Sequence, residues 1–137
     1  MAGYSGTPLL KKLGIKKEDR VLLRNEPADL PEDLKVYSHS RHKDRLDVLI
    51  VFARSYAEFK TEFEVHRRSI SEDGMIWVAW PKKASGMQTD LTENVIRDSV
   101  LQTSLVDVKV CAIDEIWSGL KLVVRKEYRT TTARRTK

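Results

Sequence analysis

The sequence predicts one α/β domain in which helices cover both faces of a mostly parallel β-sheet. Two continuous apolar runs, residues 47–52 and 75–80, are typical of strands that are buried on both faces. Each run is followed by a segment with helical periodicity. The last two strand patterns, residues 106–112 and 120–124, lie close enough in sequence to pair as an antiparallel hairpin. We therefore expect a three-layer, Rossmann-like sheet that ends in a C-terminal antiparallel hairpin.

The elements are expected in the order helix, strand, short link, strand, strand, helix, strand, helix, strand, strand. Thr7 can cap the first helix and Gly14 can close it in a left-handed conformation. Ser55 and Glu58 have the spacing of a capping box, which predicts a helix to about residue 68 or 70. Asp73 and Gly74 predict a turn before the run 75–80. The six strands are predicted at residues 20–24, 35–38, 47–52, 75–80, 106–112 and 120–124.

The net charge of +5 is concentrated at the C-terminal end of the chain. Residues 125–137 hold six basic residues and one acidic residue, so the first 124 residues carry equal numbers of positive and negative side chains. This end has few apolar residues to bury, which predicts a flexible tail over residues 126–137 after a single domain at residues 1–125. The tail suggests weak nucleic-acid binding as one alternative function, and a solubilising end as another.

The chain has the composition of a cytoplasmic domain. One cysteine, Cys111, forms no disulfide within the chain, which suits a reducing compartment. The N-terminal residues show no signal-peptide pattern, and no apolar run approaches the roughly 20 residues that span a bilayer. We therefore expect no contact with a membrane.

The loop 80–93 is the leading candidate site, because ligands of open α/β sheets bind beyond the carboxyl ends of the strands. It joins the apolar run 75–80 to a helix whose start we expect at residues 89–93. Its side chains offer ammonium donors, hydroxyl donors and the flat ring of a tryptophan. Its backbone offers a conformationally permissive glycine and the exposed N–H groups of a helix start. Trp117 is a second wall if the hairpin folds over the loop. The predicted binding residues are Trp80, Lys82, Lys83, Ser85, Gly86, Thr89, Asp90, Thr92 and Trp117.

An interpretation without a ligand competes with this one. In it, Asp90 and Glu93 only cap the helix, Trp80 packs in the core, and both lysines are solvated. Asp90 also places a negative charge where a bound anion would lie.

The order of elements resembles the latter part of a class I methyltransferase. In that family a strand, a turn with glycine, a further strand and a helix precede a terminal hairpin, and residues 47–52, 74–80 and 106–124 fill those places. The segments 80–86, 90–93, 107–114 and 117–123 also resemble a small, mostly bacterial family that is catalogued as a domain of unknown function. That second resemblance covers residues 3–125 and implies no activity.

The residues that a methyltransferase needs at its cofactor are missing from this sequence. No glycine follows the predicted first strand, where residues 25–27 read Asn-Glu-Pro, and no acidic residue ends the predicted second strand. We therefore expect neither a cofactor nor a catalytic residue. A non-catalytic domain that binds an anion or a protein partner is the favoured function, and a small transferase with a degenerate cofactor site is the alternative.

The remaining candidates carry less chemistry. His39 and His42 have a spacing compatible with a metal, but a stable site needs three or four ligands that converge. Cys111 lies in a predicted strand with no base beside it in sequence, so we expect an idle thiol. Ser85 with Lys82 or Lys83 has the ingredients of a Ser–Lys pair, which only geometry can establish.

Overall fold

The computed structural model describes residues 8–129. They form four α-helices, a five-stranded sheet and three short 3₁₀ turns. The helices are α1 (Leu9–Leu13), α2 (Glu32–Lys35), α3 (Tyr56–His66) and α4 (Glu93–Val100). The strands are β1 (Val21–Arg24), β2 (Leu46–Phe52), β3 (Ile70–Pro81), β4 (Leu105–Ala112) and β5 (Trp117–Val124). The 3₁₀ turns are Arg67–Ser69, Lys83–Ser85 and Lys126–Tyr128.

The sheet has a parallel half and an antiparallel half. Its strand order is β1-β2-β3-β5-β4. β1, β2 and β3 pair in parallel, whereas β5 runs antiparallel to both β3 and β4. The mixed α/β sheet and its terminal hairpin are confirmed. "Mostly parallel" is too strong a description, because two of the four pairings within residues 8–129 are antiparallel.

Helices cover both faces of the sheet, which gives three layers. On one face, Val51 and Val78 pack in a core with Phe59 and Phe63 of α3 and Ile96 of α4. On the other face, alternate residues of the same strands pack with the N-terminal helices in a second core, whose members include Leu13, Leu34, Ile50, Phe52 and Trp77. Because helices cover both faces of the sheet, residues 48–52 of β2 are all buried, as the apolar run 47–52 predicts.

The predicted strand at residues 35–38 is wrong. Residues Glu32–Lys35 form α2 instead, and the N–H groups of Tyr37 and Ser38 continue the turn onto the carbonyls of Leu34 and Lys35. Val36 is 75% exposed, so this segment has no apolar pair to bury on a sheet. Leu34 anchors it in the core, and Tyr37 packs against the same core.

The predicted turn at Asp73 and Gly74 is also wrong, because both residues lie within β3. The pairing register between β2 and β3 shifts here, and Ile70 pairs with Leu46 while Met75 pairs with Val48. A Cβ atom on Gly74 would lie 2.7 Å from the carbonyl oxygen of Leu46. Because Gly74 has no Cβ, the backbones of β2 and β3 can approach each other closely at this position.

The hairpin lies at one side of the sheet, with β4 outermost. β5 lies between β3 and β4, so the open edge on this side of the described sheet belongs to β4. A bulge interrupts β4 between Asp107 and Lys109, and Val108 and Val110 are exposed. Trp117 and Gly119 lie inside β5.

The described residues continue past the predicted domain boundary at residue 125. Lys126–Tyr128 form a turn, and Arg129 donates a hydrogen bond from Nε to the carbonyl of Val124 at 2.8 Å. The rest of the predicted tail, residues 130–137, lies outside the described residues, as does Thr7. No helix in the described range 8–129 is long and apolar enough to cross a membrane.

Candidate functional site

A cleft of about 820 Å³ lies at the carboxyl ends of β2 and β3, and is called the β2–β3 cleft below. Parallel strands that end at one edge of a sheet leave their following loops side by side, which is where α/β proteins bind ligands. The volume lies within the range typical of small-molecule sites, roughly 300–1,000 Å³. The cleft is lined by Arg54, Ser55, Trp80, Pro81, Lys83, Gly86, Met87, Gln88, Thr89, Asp90, Leu91, Thr92 and Glu93.

Hydrogen bonds within the chain shape the first part of the loop. The Ser85 hydroxyl donates to the carbonyl of Lys82 at 2.7 Å and accepts from the N–H of Met87 at 3.1 Å. Gly86 has φ of 79°, a left-handed conformation that glycine adopts without strain. The side chain of Ser85 thus holds the loop in place and does not line the cleft.

The second part of the loop, residues 89–92, leads into α4 and is held by hydrogen bonds to two threonine hydroxyls. The Thr89 hydroxyl accepts from the N–H of Leu91 at 3.1 Å, and the Thr92 hydroxyl accepts from the N–H of Val95 at 3.2 Å. Helix α4 therefore begins at Glu93 with Thr92 as its cap, at the last position of the start expected at residues 89–93. The N–H groups of Leu91 and Val95 are already bonded to these threonines.

Asp90 caps a different helix from the one that sequence reasoning assigned to it. Its Oδ1 accepts the N–H of Tyr56, the first residue of α3, at 2.8 Å. The carboxylate therefore fastens the loop to the N-terminus of α3, beside the cap residue Ser55. An anion and the positive end of a helix dipole attract each other, so this contact stabilises both segments.

Arg54 is the cation of the cleft that the sequence did not predict. It lies two residues after the end of β2, at the same sheet edge as Trp80 and Lys83. Its guanidinium carbon lies 5.4 Å from the ring centre of Trp117, and its Nη1 lies 3.7 Å from Oε1 of Glu58. Its position after a buried run was the signal that could have found it.

The two tryptophans lie on opposite faces of the sheet. Trp80 packs with the core beneath α3 and α4, whereas Trp117 packs edge-on against Phe52 on the other face, with ring centres 5.2 Å apart. Trp117 reaches the β2–β3 cleft only through Arg54. The expectation of two aromatic walls therefore reduces to one, Trp80.

Of the nine predicted binding residues, six line the cleft: Trp80, Lys83, Gly86, Thr89, Asp90 and Thr92. Lys82, Ser85 and Trp117 do not line it. The N–H of Lys82 donates to the carbonyl of Ile116 at 2.8 Å. This hydrogen bond connects the loop to the residue before β5.

The lining has two basic and two acidic residues, and they differ in whether other residues of the chain already pair with them. Glu93 forms a close ion pair with Arg97, and Asp90 is bonded to Tyr56. Lys83 is exposed and forms no ion pair within residues 8–129. Arg54 is paired with Glu58, with its Nη1 3.7 Å from Oε1, so Lys83 is the cation of the lining that a ligand meets unpaired among residues 8–129.

Catalytic groups are sparse in the cleft. Its lining includes no histidine or cysteine, and the Ser55 hydroxyl accepts the N–H of Glu58 at 3.1 Å. Cys111 lies instead against the second core, where burial raises the pKa of its thiol and nearby Lys12 and Lys109 oppose that rise. A raised pKa leaves this thiol protonated and unreactive at neutral pH.

Histidines lie outside the cleft. His66 Nε2 lies 3.5 Å from Oε1 of Glu62, which also binds Nε of Arg24 at 3.0 Å. Burial lowers the pKa of His66, Arg24 lowers it further, and Glu62 opposes both. In the described part of the chain, no group of three or more His, Cys, Asp and Glu residues is arranged to hold a metal ion.

No protein-family model and no curated protein matches the chain. Among solved structures, it is similar to the PH0226 protein from Pyrococcus horikoshii OT3, with 11% sequence identity and a TM-score of 0.41. The match covers 85% of this chain and 75% of that chain. A likeness at this level assigns neither a family nor a function.

Proposed function

We propose that the protein is a non-catalytic, cytoplasmic binding domain and that the β2–β3 cleft receives a ligand with a phosphate or carboxylate group. The observation that carries the proposal is the convergence of Arg54 and Lys83 on a cleft of about 820 Å³ at the carboxyl ends of two parallel strands. These cations come from different loops and face one space, which suits an anionic group between them.

The contact between Asp90 and Tyr56 restricts where an anion can bind. It places a carboxylate of the chain itself on the first N–H of α3, at 2.8 Å. The N-terminus of α3 is therefore occupied, and an anionic ligand would bind at the cations of the cleft instead. Met87, which is 40% exposed, supplies apolar surface for the rest of the ligand, whereas the largely buried Trp80 forms part of the lining beneath.

Binding rather than catalysis is favoured by the chemistry of the lining. Nucleophilic catalysis needs a nucleophile next to a base, and the hydroxyls that line the cleft accept hydrogen bonds from backbone N–H groups instead. The resemblance to a bacterial family of unknown function stays a proposal and adds no activity.

Isothermal titration with ATP, pyrophosphate and citrate tests this function. Lys83→Ala and Arg54→Ala are each expected to weaken binding about tenfold, which corresponds to the loss of one charge-assisted hydrogen bond. Lys82→Ala is the matched control, since its side chain is adjacent in sequence but does not line the cleft. Equal affinities for all three variants would contradict the site, and absence of binding by every probe would contradict the ligand class.

A small transferase with a reshaped cofactor pocket is the second candidate, and two observations favour it. Parallel strands β2 and β3 with their helices, followed by the β4–β5 hairpin, have the order of a class I methyltransferase. Asn25, directly after β1, has φ of 62°, so the backbone takes there a conformation that glycine usually supplies. The glycine argument against a cofactor is therefore weaker than the sequence alone indicates.

S-adenosylmethionine titration separates the two candidates. A transferase predicts saturable binding and a rise in the unfolding free energy of about 2.7 kcal/mol at a hundredfold excess over Kd. Asn25→Pro, which cannot adopt a positive φ, should abolish this rise. If S-adenosylmethionine leaves the unfolding curve unchanged at millimolar concentration, the transferase is ruled out.

A further inference from the structure

Two lysines lie directly opposite each other in the hairpin, on the face of the sheet that α1 covers. Lys109 of β4 and Lys121 of β5 are paired residues, and Lys121 is also the partner of Trp77, whose side chain packs on that face. Opposed side chains in antiparallel strands have Cβ atoms about 5 Å apart, and like charges there destabilise the sheet. Neither lysine forms an ion pair with any described residue.

A third lysine joins them from α1. Lys12 of α1 and Lys109 both act on the Cys111 thiol by charge, so both lie on the side of the sheet where Cys111 packs. Nζ of Lys121 lies 3.9 Å from the place of a Cβ on Gly14, the residue that ends α1. Lys12, Lys109 and Lys121 are called the lysine cluster below. Three elements thus bring three cations together, with no ion-pair partner among residues 8–129.

The lysine cluster is separate from the β2–β3 cleft. None of its members lines that cleft, whose loop packs on the face covered by α3 and α4. The acidic residue closest in sequence, Asp107, lies before the bulge and binds Nε of Arg97 on α4 at 2.9 Å. Its charge is therefore committed to the opposite face of the sheet.

The described chain ends beside the hairpin. Arg129 binds the carbonyl of Val124, three residues after Lys121 in β5. The sequence beyond it adds Arg134, Arg135 and Lys137 and no acidic residue.

We propose that the lysine cluster binds the phosphate backbone of a nucleic acid. Lysine binds phosphate as a point charge, and three such charges without a counter-ion suit a partner with closely spaced anions. Duplex DNA carries about one negative charge per 1.7 Å of its axis. The described parts of α1, β4 and β5 expose no aromatic ring for stacking on bases, so the contact depends on charge and not on base sequence.

Fluorescence anisotropy of a labelled 20-base-pair DNA duplex, titrated with the full chain between 25 and 200 mM NaCl, tests the proposal. Three phosphate contacts predict a slope of log K against log salt of at least about −2.7 in magnitude. The double variant Lys109→Gln with Lys121→Gln should flatten the slope by about 1.8 and weaken binding at 50 mM NaCl about tenfold or more.

The matched control is Lys43→Gln with Lys60→Gln, which removes the same charge from exposed positions elsewhere and should leave the slope within about 0.5 of the parent value. Lys109→Arg with Lys121→Arg keeps the charge and should retain the parent slope. Thermal unfolding without DNA confirms folding, and the glutamine pair should unfold at the parent temperature or above it, because one like-charge contact is removed.

Five outcomes overturn the proposal. Three of them are failure of the full chain to bind DNA at 25 mM NaCl, an unchanged slope in the glutamine pair, and equal flattening of the slope by the control pair. The fourth is binding to phosphatidylserine vesicles with none to DNA, which would assign the lysine cluster to a lipid surface.

A chain truncated after Arg129 should still bind DNA with a slope near −2.7. Loss of all binding on that truncation is the fifth outcome, and it would assign DNA binding to residues 130–137.

Discussion

The parallel half of the sheet, β1 to β3, and the hairpin strand β4 differ in how deeply their apolar side chains are buried. Residues 48–52 of β2 are all buried, whereas only Leu105 of β4 is buried. β2 has a neighbour on each side and helices on both faces, while β4 has one neighbour and an open edge. Valines of β2 stabilise the fold because helices on both faces of the sheet bury them, whereas Val108 and Val110 of β4 remain exposed. The edge strand β4 carries a bulge and a lysine, which protect it from pairing with another strand.

The strongest test of this comparison removes one large residue from each half. Trp77→Ala is expected to cost about 3–5 kcal/mol, because it leaves a large cavity and removes the 3.0 Å hydrogen bond from Nε1 to the carbonyl of Leu13. Val108→Ala is expected to change the free energy of unfolding by less than about 0.5 kcal/mol, since its side chain is 55% exposed. Urea unfolding measures both, and similar losses would refute the contrast.

A second test compares glycines in the parallel half and in the loop that follows it. Gly74→Ala places a Cβ 2.7 Å from the carbonyl oxygen of Leu46, so the strands must separate at a cost of about 2 kcal/mol or more. Gly86→Ala meets nothing within 4 Å and has only a positive φ to overcome, at about 1 kcal/mol. Thermal unfolding ranks the two, and a larger loss at Gly86 would contradict the close approach.

The contact between the cleft loop and α3 gives a third test. Asp90→Ala removes the carboxylate that accepts the N–H of Tyr56, which should cost about 1 kcal/mol. Asp98→Ala on the exposed side of α4 is the matched control and should be nearly neutral. Amide hydrogen exchange at Tyr56 should rise in the Asp90 variant alone, and equal exchange in both variants would contradict the cap.

On the side of β4, stability depends partly on surface charge. Arg97 links Glu93 of α4 to Asp107 of β4, and these hydrogen bonds raise its pKa. Arg97→Gln should lower the free energy of unfolding only slightly, and this loss should shrink at 1 M NaCl because salt screens exposed charges. A cost that does not respond to salt would indicate that packing of the arginine stem holds α4 to β4 instead.

The smallest expected effect lies on α3, beside β1. Burial and Arg24 lower the pKa of His66 in the folded chain, with Glu62 opposing, so the unfolded chain takes up a proton first as the pH falls. Its contribution to stability is therefore complete above the unfolded value of about 6.5 and is lost as the pH falls through 6.5 towards the lower folded pKa. Urea unfolding at pH 7.5 and 5.5 should show a smaller pH dependence in His66→Gln. An unchanged dependence would assign it to other groups.

Local patterns predicted most elements because those patterns report local constraints. The capping box at Ser55 and Glu58 placed the start of α3 correctly, and Gly14 closes α1 with φ of 80° as expected. Residues 35–38 were assigned to a strand from two apolar residues, and burial of Leu34 decided for a helix. The bulge at Val108 has no marker in the sequence, since it depends on how β4 meets β5.

The candidate site was predicted in place but not in detail. The position of loop 80–93 after a buried run was enough to locate the cleft, and six of its nine predicted residues line it. Arg54 was missed because it belongs to another loop, which only the parallel pairing of β2 with β3 brings near. Asp90 was assigned to the helix that follows it, whereas its partner Tyr56 is 34 residues away.

The sequence by itself determined the α/β class, the buried central strands and the loop at the carboxyl edge, because hydrophobic periodicity and capping act between residues a few positions apart. Only the tertiary structure decided the strand order, the face on which each tryptophan packs, and the neighbours of each charge. Those features depend on contacts between distant segments, such as Lys109 with Lys121 and Arg54 with Trp117. Their free energies are set by burial and by opposing charges, which a linear pattern does not record.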